Sequence, residues 1–467
     1  MNRLASRMSG LAPSATLRIN EASNALLQQG HEVVKFGLGQ SPFPVPSPMV
    51  EALRKNAAQK DYLPVRGLPQ LRESIVQHLS RHHGVSGRSW EHTITGPGSK
   101  ELLFMLQLVL DAELLLPMPS WVSYSPQAAL CGNPVTPLPV ELTPETLDEV
   151  LQQPSNRSVR VLLLNSPNNP SGTTLCTGED EEQVLRRFAE VIEKYPDVIV
   201  VSDEIYAHTR FDGRPHQSLA HFCPEQVVVL TGVAKWAGAG GWRLGSLSFP
   251  AAMSDVVDAM AIAASESFTS VSAPIQNACI PGYDMGPEMQ EYIERSKKVL
   301  AVVASGTCRY LAEHAPVQVD APNGGFYCMP RIGDTPWAQG ATEYFASKQG
   351  NDMTTFRSTA LVGDAFAQHA IEKGHVAFLP ASCFISILED VARPTGVEKD
   401  STRMGMGMRL SYVDFDGTKA LEVADQLPAL GAPLSDDLVD SWLDQHAPKI
   451  RKGATTISRL LASDFTQ

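Results

Sequence analysis

Short apolar runs separated by polar turns dominate the first 250 residues of the chain. Residues 161–164, 198–201 and 227–230 are unbroken runs of valine, isoleucine and leucine, and turn residues follow each of them. Such runs are typical of strands that are buried on both faces of a parallel sheet. The pattern predicts an α/β domain with a mostly parallel central sheet and flanking helices.

A helix is predicted between the first two of these strands. Thr177 and Asp180 have the spacing of a capping box at its start. Five apolar side chains then fall on one helical face: Val184, Phe188, Val191, Ile192 and Tyr195. The strand–helix–strand order supports a parallel sheet.

The pattern changes beyond about residue 300, where the segments GGFYCMP and HVAFLP are strand candidates in an α+β arrangement. The tail after about residue 430 predicts one or two exposed helices. We therefore expect a large α/β domain over residues 45–300. A smaller domain would combine residues 1–44 with residues 301–467.

Composition and charge exclude several classes of function. A net charge of −13 argues against a nucleic-acid partner, which requires clustered lysine and arginine. No apolar stretch reaches the about 18 residues of a membrane span. The seven cysteines form no C-x-x-C pair, which fits reduced thiols in a cytoplasmic compartment. The N-terminus lacks the apolar core of a secretory signal, although its Arg and Ser residues leave an organellar leader as an alternative.

The strongest chemical signal is the segment AKWAGAGGWRLG, residues 234–245. Lys235 follows a predicted strand, and Arg243 lies eight residues later in a glycine-rich turn. A lysine that forms a Schiff base requires a desolvated pocket, and a phosphate beside it favours a bidentate arginine. A lone lysine in such a turn is more often an ordinary surface charge.

Three further polar segments follow predicted strands. In SDEIYAHTRFDG, Asp203 stands at the end of a strand and Tyr206 three residues later. A buried carboxylate there would keep a pyridine nitrogen protonated, although a helix cap is the simpler interpretation. The segment NSPNNPSG (165–172) has the composition of a turn, and TITGPGSKELL (93–103) offers backbone N–H groups at a helix start.

In this order, the four segments resemble the class I/II pyridoxal-phosphate-dependent aminotransferases, the aspartate aminotransferase-like branch of fold type I. The resemblance covers about residues 10–425 and includes the segments YLPVRGLPQLRE, PSWVSY, NGGFY and MRLSY. It implies pyridoxal 5'-phosphate as cofactor. It also implies reversible transfer of an α-amino group from an L-amino acid to a 2-oxo acid by a ping-pong mechanism.

The resemblance also implies roles for residues around the cofactor ring. Lys235 would bind the cofactor as a Schiff base and shuttle the substrate proton. Asp203 would pair with the pyridine nitrogen, whereas Tyr206 and Asn169 would hydrogen-bond the ring oxygen. Trp121 would stack on the ring. Lys235, Asp203 and Tyr206 are therefore the expected catalytic residues.

The phosphate and the substrate carboxylate have their own implied partners. Arg243 would bind the phosphate together with the backbone amides of Gly98, Ser99 and Lys100. Tyr62 would reach the phosphate of a neighbouring subunit, which implies a homodimer. Arg409 would bind the substrate α-carboxylate, helped by Gly39 and Asn169.

Several alternatives stay open at the level of sequence. A lyase, cyclase or oxidase of an amino acid would use the same cofactor and the same residues. A non-catalytic regulator on this scaffold would need an added basic DNA-binding segment, and none is evident. His78 and His82 have metal-ligand spacing on a predicted helix, but a solvated helix face is the simpler interpretation, and His208 is expected to be peripheral. We therefore expect no metal site. The amino donor is not identified.

Overall fold

The computed structural model describes residues 5–8, 11, 15–139, 142–176, 180–349, 353, 356–385 and 405–465. Its strands, in chain order, are β1 (Val34–Lys35), β2 (Thr93–Gly96), β3 (Ala112–Pro117), β4 (Val135–Leu138), β5 (Val159–Asn165), β6 (Val198–Asp203), β7 (Val227–Gly232), β8 (Gly245–Ser248), β9 (Tyr327–Cys328), β10 (Val376–Ala377), β11 (Leu379–Pro380) and β12 (Met408–Ser411). The three predicted apolar runs lie in β5, β6 and β7, which confirms them as strands.

A seven-stranded sheet forms the centre of the molecule, in the order β2-β8-β7-β6-β5-β3-β4. The neighbouring strands from β7 to β4 are parallel, and β8 runs antiparallel to both β7 and β2. The predicted mostly parallel sheet is confirmed. Because β2 runs in the same direction as β7, the carboxyl ends of β2, β5, β6 and β7 share one edge.

The helices are α1 (Ala15–Gln28), α2 (Ser47–Asn56), α3 (Pro69–His83), α4 (Ser99–Val109), α5 (Tyr124–Cys131), α6 (Pro144–Leu151), α7 (Glu181–Ile192), α8 (Ser254–Ser265), α9 (Ala273–Asp284), α10 (Pro287–Leu311), α11 (Pro336–Gln349), α12 (Phe356–Gly374), α13 (Gly417–Glu422), α14 (Asp436–His446) and α15 (Pro448–Ala462). One face of the sheet packs against α2, α3, α6, α7 and α9, and the opposite face against α4, α5 and α8. Strand residues therefore bury both their faces, which explains the unbroken apolar runs.

The predicted start of α7 requires a correction. Asp180 is itself the N-cap, and its side chain accepts a hydrogen bond from the Gln183 N–H at 3.3 Å. Thr177 lies outside the described residues. Phe188, Val191 and Ile192 are buried as predicted, whereas Tyr195 follows the end of the helix.

A smaller unit is built around the antiparallel strands β11, β12 and β9, with β1 and β10 as a separate parallel pair. Its core unites these strands with α10, α11, α12, α14 and α15. The expectation of an exposed C-terminal tail is therefore wrong. Trp442, Leu443 and Ile457 are at most 5 % exposed, because α14 and α15 pack against α10.

The seven-stranded sheet lies within residues 93–248, inside the large domain that the sequence predicts. Helix α10 continues across residue 300, so the division at residues 45 and 300 stays a prediction. None of the described helices combines the length and apolarity needed to cross a membrane.

Candidate active site

Lys235 lies at the edge of the sheet where β7 ends. Its Nζ donates a hydrogen bond to the backbone oxygen of Gly39 at 2.7 Å. The ring centres of Tyr206 and Phe326 lie 5.6 and 5.5 Å from Nζ. The lysine therefore reaches from the large sheet into an aromatic pocket whose far wall belongs to the smaller unit.

Asp203 ends β6 and is 4 % exposed. Its Oδ2 accepts a hydrogen bond from the Tyr124 hydroxyl at 2.6 Å, and its Oδ1 accepts one from the Ile205 N–H at 3.2 Å. Burial raises the pKa of Asp203 to about 6, although both hydrogen bonds act against that shift. A buried carboxylate with a raised pKa favours a cationic partner at this position.

Arg409 enters the site from β12 and is 2 % exposed. Its guanidinium donates to the backbone oxygen of Gly37 and, at 3.3 Å, to Oδ1 of Asn169. Among the described residues no carboxylate pairs with it, and its buried Nε has no hydrogen-bond partner. Burial lowers the pKa of Arg409. A buried cation in this state is suited to binding an anion.

Tyr206 is held by a second phenol that the sequence did not single out. The hydroxyls of Tyr206 and Tyr327 lie 2.9 Å apart, and both side chains are buried. Burial, and then the neighbouring Tyr327, raise the pKa of Tyr206 well above its usual range. A side chain at Gly39 would collide with the Tyr327 hydroxyl, so glycine is required there.

The turn between β2 and α4 forms a cationic cradle. Gly98 is the N-cap of α4 with φ of 92°, and a Cβ there would strike the guanidinium of Arg243. Arg243 donates to the backbone oxygen of Pro97 at 3.2 Å. Partial desolvation, followed by the charges of Arg243 and Lys235, lowers the pKa of Lys100. The Gly98 N–H, which the sequence predicted to face the phosphate, instead donates to the backbone oxygen of Gly96 at 2.6 Å. The amides of Ser99 and Lys100 at the helix start, together with the clustered cations, suit a phosphate group.

Trp121 and Tyr62 differ in their surroundings. Trp121 is partly buried against Tyr124, with ring centres 5.2 Å apart, and Lys100 Nζ lies 4.9 Å from its ring. Tyr62 is 92 % exposed. These contacts bring the other predicted site residues together at one edge of the large sheet, whereas Tyr62 lies on the surface.

Sequence reasoning missed Tyr124 and Tyr327, although both lie in segments that carry the family resemblance, PSWVSY and NGGFY. The interpretation of the histidines was also partly wrong. His78 is 1 % exposed, and its ring contacts those of His208 and Trp236. His78 therefore does not lie on a solvated helix face.

Known proteins match most of the chain. The family model "Aminotransferase class I and II" matches residues 31–409. An aspartate aminotransferase of Geobacillus stearothermophilus is 31 % identical over 398 residues, 82 % of this chain and 92 % of the relative. A probable aspartate/prephenate aminotransferase of Thermus aquaticus is 31 % identical over 359 residues, covering 73 % and 88 % of the two chains.

Solved structures share the fold. An aspartate aminotransferase from Thermus thermophilus with maleate superposes with a TM-score of 0.71 at 25 % identity, covering 91 % of this chain and 98 % of the other. The aspartate aminotransferase from Rhizobium meliloti gives a TM-score of 0.69 at 24 % identity, which speaks to the fold alone. The expected fold type I is confirmed. Since the family model and these relatives extend over most of its length, the chain belongs to the class I and II aminotransferases and is a pyridoxal-phosphate-dependent enzyme that transfers amino groups.

Proposed function

We propose that an L-amino acid binds with its α-carboxylate at Arg409 and with its amino group toward the cofactor that Lys235 holds. The observation that carries this proposal is that the two cations converge from opposite units on one short segment. Lys235 donates to the backbone oxygen of Gly39 and Arg409 to that of Gly37. The α-carboxylate would complete the hydrogen bonds of the buried Arg409 guanidinium. The amino end would then lie toward Lys235.

The residues at the sheet edge fit pyridoxal phosphate. Glycine at position 98 leaves room for the Arg243 guanidinium, which a Cβ there would strike. The buried Asp203 carboxylate suits a protonated ring nitrogen. When bound, pyridoxal phosphate supplies an aldehyde carbon that accepts an amino group and a ring that withdraws electrons from the substrate Cα. Lys235 would hold it covalently.

The protein's own groups would then manage the protons. Lys235 Nζ would remove the proton from the substrate Cα and return one later in the reaction. Asp203, oriented by the Tyr124 hydroxyl, would keep the ring nitrogen protonated. Tyr206, whose hydroxyl pairs with that of Tyr327, would donate to the ring oxygen together with Asn169. Trp121 would cover the ring, while Ser99 and Lys100 would contribute amides to the phosphate.

For the amino donor we propose an acidic amino acid, and aspartate is the first to test. The names of the relatives, which include aspartate and aspartate/prephenate aminotransferases, support this choice. Near Gly39, the Ser41 hydroxyl is buried without a hydrogen-bond partner among the described residues, which favours a polar substrate side chain. The corresponding acceptor is a 2-oxo acid.

The test is a half-reaction screen with the purified enzyme carrying pyridoxal phosphate. Each L-amino acid is added alone, and the loss of near-visible absorbance and the formation of pyridoxamine phosphate are followed. We expect aspartate to react fastest, a 2-oxo acid to restore the absorbance, and steady-state kinetics to be ping-pong. The Arg409→Lys variant should react more slowly with every donor, because lysine lacks the bidentate fork.

Two outcomes would contradict the proposal. If no amino acid yields pyridoxamine phosphate while substrate is still consumed, a lyase, cyclase or oxidase outcome takes its place. If Arg409→Lys slows only some donors, Arg409 contacts a substrate side chain instead of the α-carboxylate.

A further inference from the structure

Three histidines lie together behind the cofactor site. His78 and His83 come from α3, and His208 follows β6 in a single helical turn. One ring nitrogen from each histidine lies within 4.8 Å of those of the other two. Trp236, the residue after Lys235, stacks on His78 with ring centres 6.0 Å apart and also contacts the His208 ring. Trp236 therefore packs directly against two of the three histidine rings.

Hydrogen bonds fix the protons on two of these rings. His78 Nδ1 lies 3.1 Å from the backbone oxygen of Tyr283, and a carbonyl oxygen can only accept, so Nδ1 carries the proton. His83 Nδ1 donates to the Glu204 carboxylate at 2.5 Å. In the neutral rings, Nε2 of both histidines is then unprotonated and carries a lone pair. His83 Nε2 is buried and has no hydrogen-bond partner in the described part of the chain.

The third ring can supply a lone pair as well. The Nε2 atoms of His78 and His208 lie 2.7 Å apart, so His208 donates its Nε2 proton to His78 when nothing else is bound. Moving that proton to Nδ1 of His208 through exchange with water would free Nε2 without net proton release.

We propose that His78, His83 and His208 bind one divalent transition-metal ion of the zinc type through their Nε2 atoms. Tetrahedral Zn–N bonds of about 2.0–2.1 Å place the nitrogens about 3.3 Å apart, which lies within the present range of separations. Imidazole ligands suit zinc, copper and nickel. A water molecule would take the fourth position. The partly exposed His82 lies beside the cluster, with its ring centre 4.9 Å from that of His78.

The surroundings of Glu204 support a built site. Its carboxylate accepts hydrogen bonds from Ser202 and Ser218 as well as from His83, and His216 Nε2 lies 3.0 Å from it. A carboxylate that orients a histidine in this way is the usual second layer around a bound metal ion. The ion would tie the end of α3 to the segment after β6, next to Asp203. This role is structural and does not depend on the proposed amino donor.

The experiment uses the holoenzyme after treatment with a chelator and its removal. Titration with ZnCl2 by calorimetry should give one zinc per chain, and saturation should raise the Tm by several degrees, because the ion binds only the folded protein. The His208→Gln variant should lose at least about tenfold in zinc affinity together with most of the Tm shift. The His314→Asn variant, which removes a histidine outside the cluster, should behave as the wild type.

Equal zinc affinity in wild type and His208→Gln would overturn the proposal, since the ion would then bind elsewhere. If His208→Gln does not fold, anomalous diffraction at the zinc edge from soaked wild-type crystals decides. A peak between the three Nε2 atoms supports the site, whereas a peak elsewhere or no peak overturns it. Amino-group transfer is measured in parallel and does not depend on either result.

Discussion

At the scale of single residues, the site is made of charges that the fold buries before any ligand arrives. Asp203 is buried with a pKa of about 6, and Arg409 is buried without a carboxylate partner among the described residues. Each arrangement costs free energy of folding that a bound ligand would return. Natural proteins tolerate such costs mainly at functional sites.

The buried carboxylate gives a testable stability effect in the cofactor-free protein. The folded-state pKa of Asp203 is raised from 3.8 to about 6, so the native state holds the proton more tightly and loses stability as pH rises through this window. The Asp203→Asn variant has no ionisable group at this position, so it does not lose this stability as pH rises. At pH 8 its free energy of unfolding in urea should exceed that of wild type by up to about 3 kcal/mol, and the difference should shrink at pH 5.

The matched control is Asp61→Asn, because the side chain of Asp61 is 81 % exposed. It should leave the free energy of unfolding unchanged at both pH values. A lower stability of Asp203→Asn at pH 8 would mean that the carboxylate stabilises the cofactor-free fold, contrary to the argument from burial.

Several site residues were predictable from the sequence because they stand at fixed places after buried strands. Asp203 lies two residues after one apolar run, and Lys235 lies five residues after another. Tyr124 and Tyr327 were missed because their role depends on which side chain meets them across the fold. Hydrogen bonds between residues 121 positions apart, such as that of Tyr206 with Tyr327, leave no local pattern.

At the scale of elements, the turn before α4 depends on a glycine. Gly98 has φ of 92°, and a Cβ there would strike Arg243. We expect Gly98→Ala to weaken the binding of pyridoxal phosphate by at least about tenfold, equal to 1.4 kcal/mol, because Arg243 must move. Fluorescence titration of the cofactor-free protein measures this affinity.

Gly87→Ala is the control for backbone strain alone. Gly87 also has a positive φ, of 73°, but nothing lies within 4 Å of its added Cβ. Its variant should lose about 1 kcal/mol of stability from the left-handed backbone and keep its affinity for the cofactor. Equal affinity loss in both variants would show that strain, and not the contact with Arg243, weakens binding.

The C-terminal helices belong to the core of the smaller unit. Leu443 of α14 is fully buried, and α10 accommodates it through Gly306, where a Cβ would collide with Leu443. Leu443→Ala should lower the free energy of unfolding by about 2–5 kcal/mol, measured in urea. Leu17→Ala, at a side chain that is 58 % exposed, should change it by less than about 0.5 kcal/mol. A similar small effect at Leu443 would mean that α14 contributes little to the core.

The sequence did not predict this packing, because an amphipathic helix pattern does not say what covers its apolar face.

At the scale of the whole molecule, the apolar runs in β5, β6 and β7 identified the fold class correctly. They could not give the antiparallel direction of β8, since GSLS is too short and too polar to show a period. Strand order is set by long-range pairing, which local patterns do not record.

The family resemblance predicts that two chains assemble into a homodimer. Tyr62 is 92 % exposed, yet the family resemblance gives it a phosphate partner in a neighbouring subunit. We expect light scattering to give the mass of a homodimer. The Tyr62→Phe variant should bind pyridoxal phosphate about tenfold more weakly and should still be a dimer. A monomer with full cofactor affinity would contradict the shared site.

The central claim is that Lys235 holds the cofactor. Borohydride reduction of the holoenzyme, followed by proteolysis and mass spectrometry, attaches the cofactor permanently to the lysine that binds it. The account predicts the added mass on the peptide that contains Lys235 and its complete loss, with activity, in a Lys235→Ala variant whose circular dichroism is native. An added mass on Lys100, or an unchanged near-visible absorbance in Lys235→Ala, would contradict it.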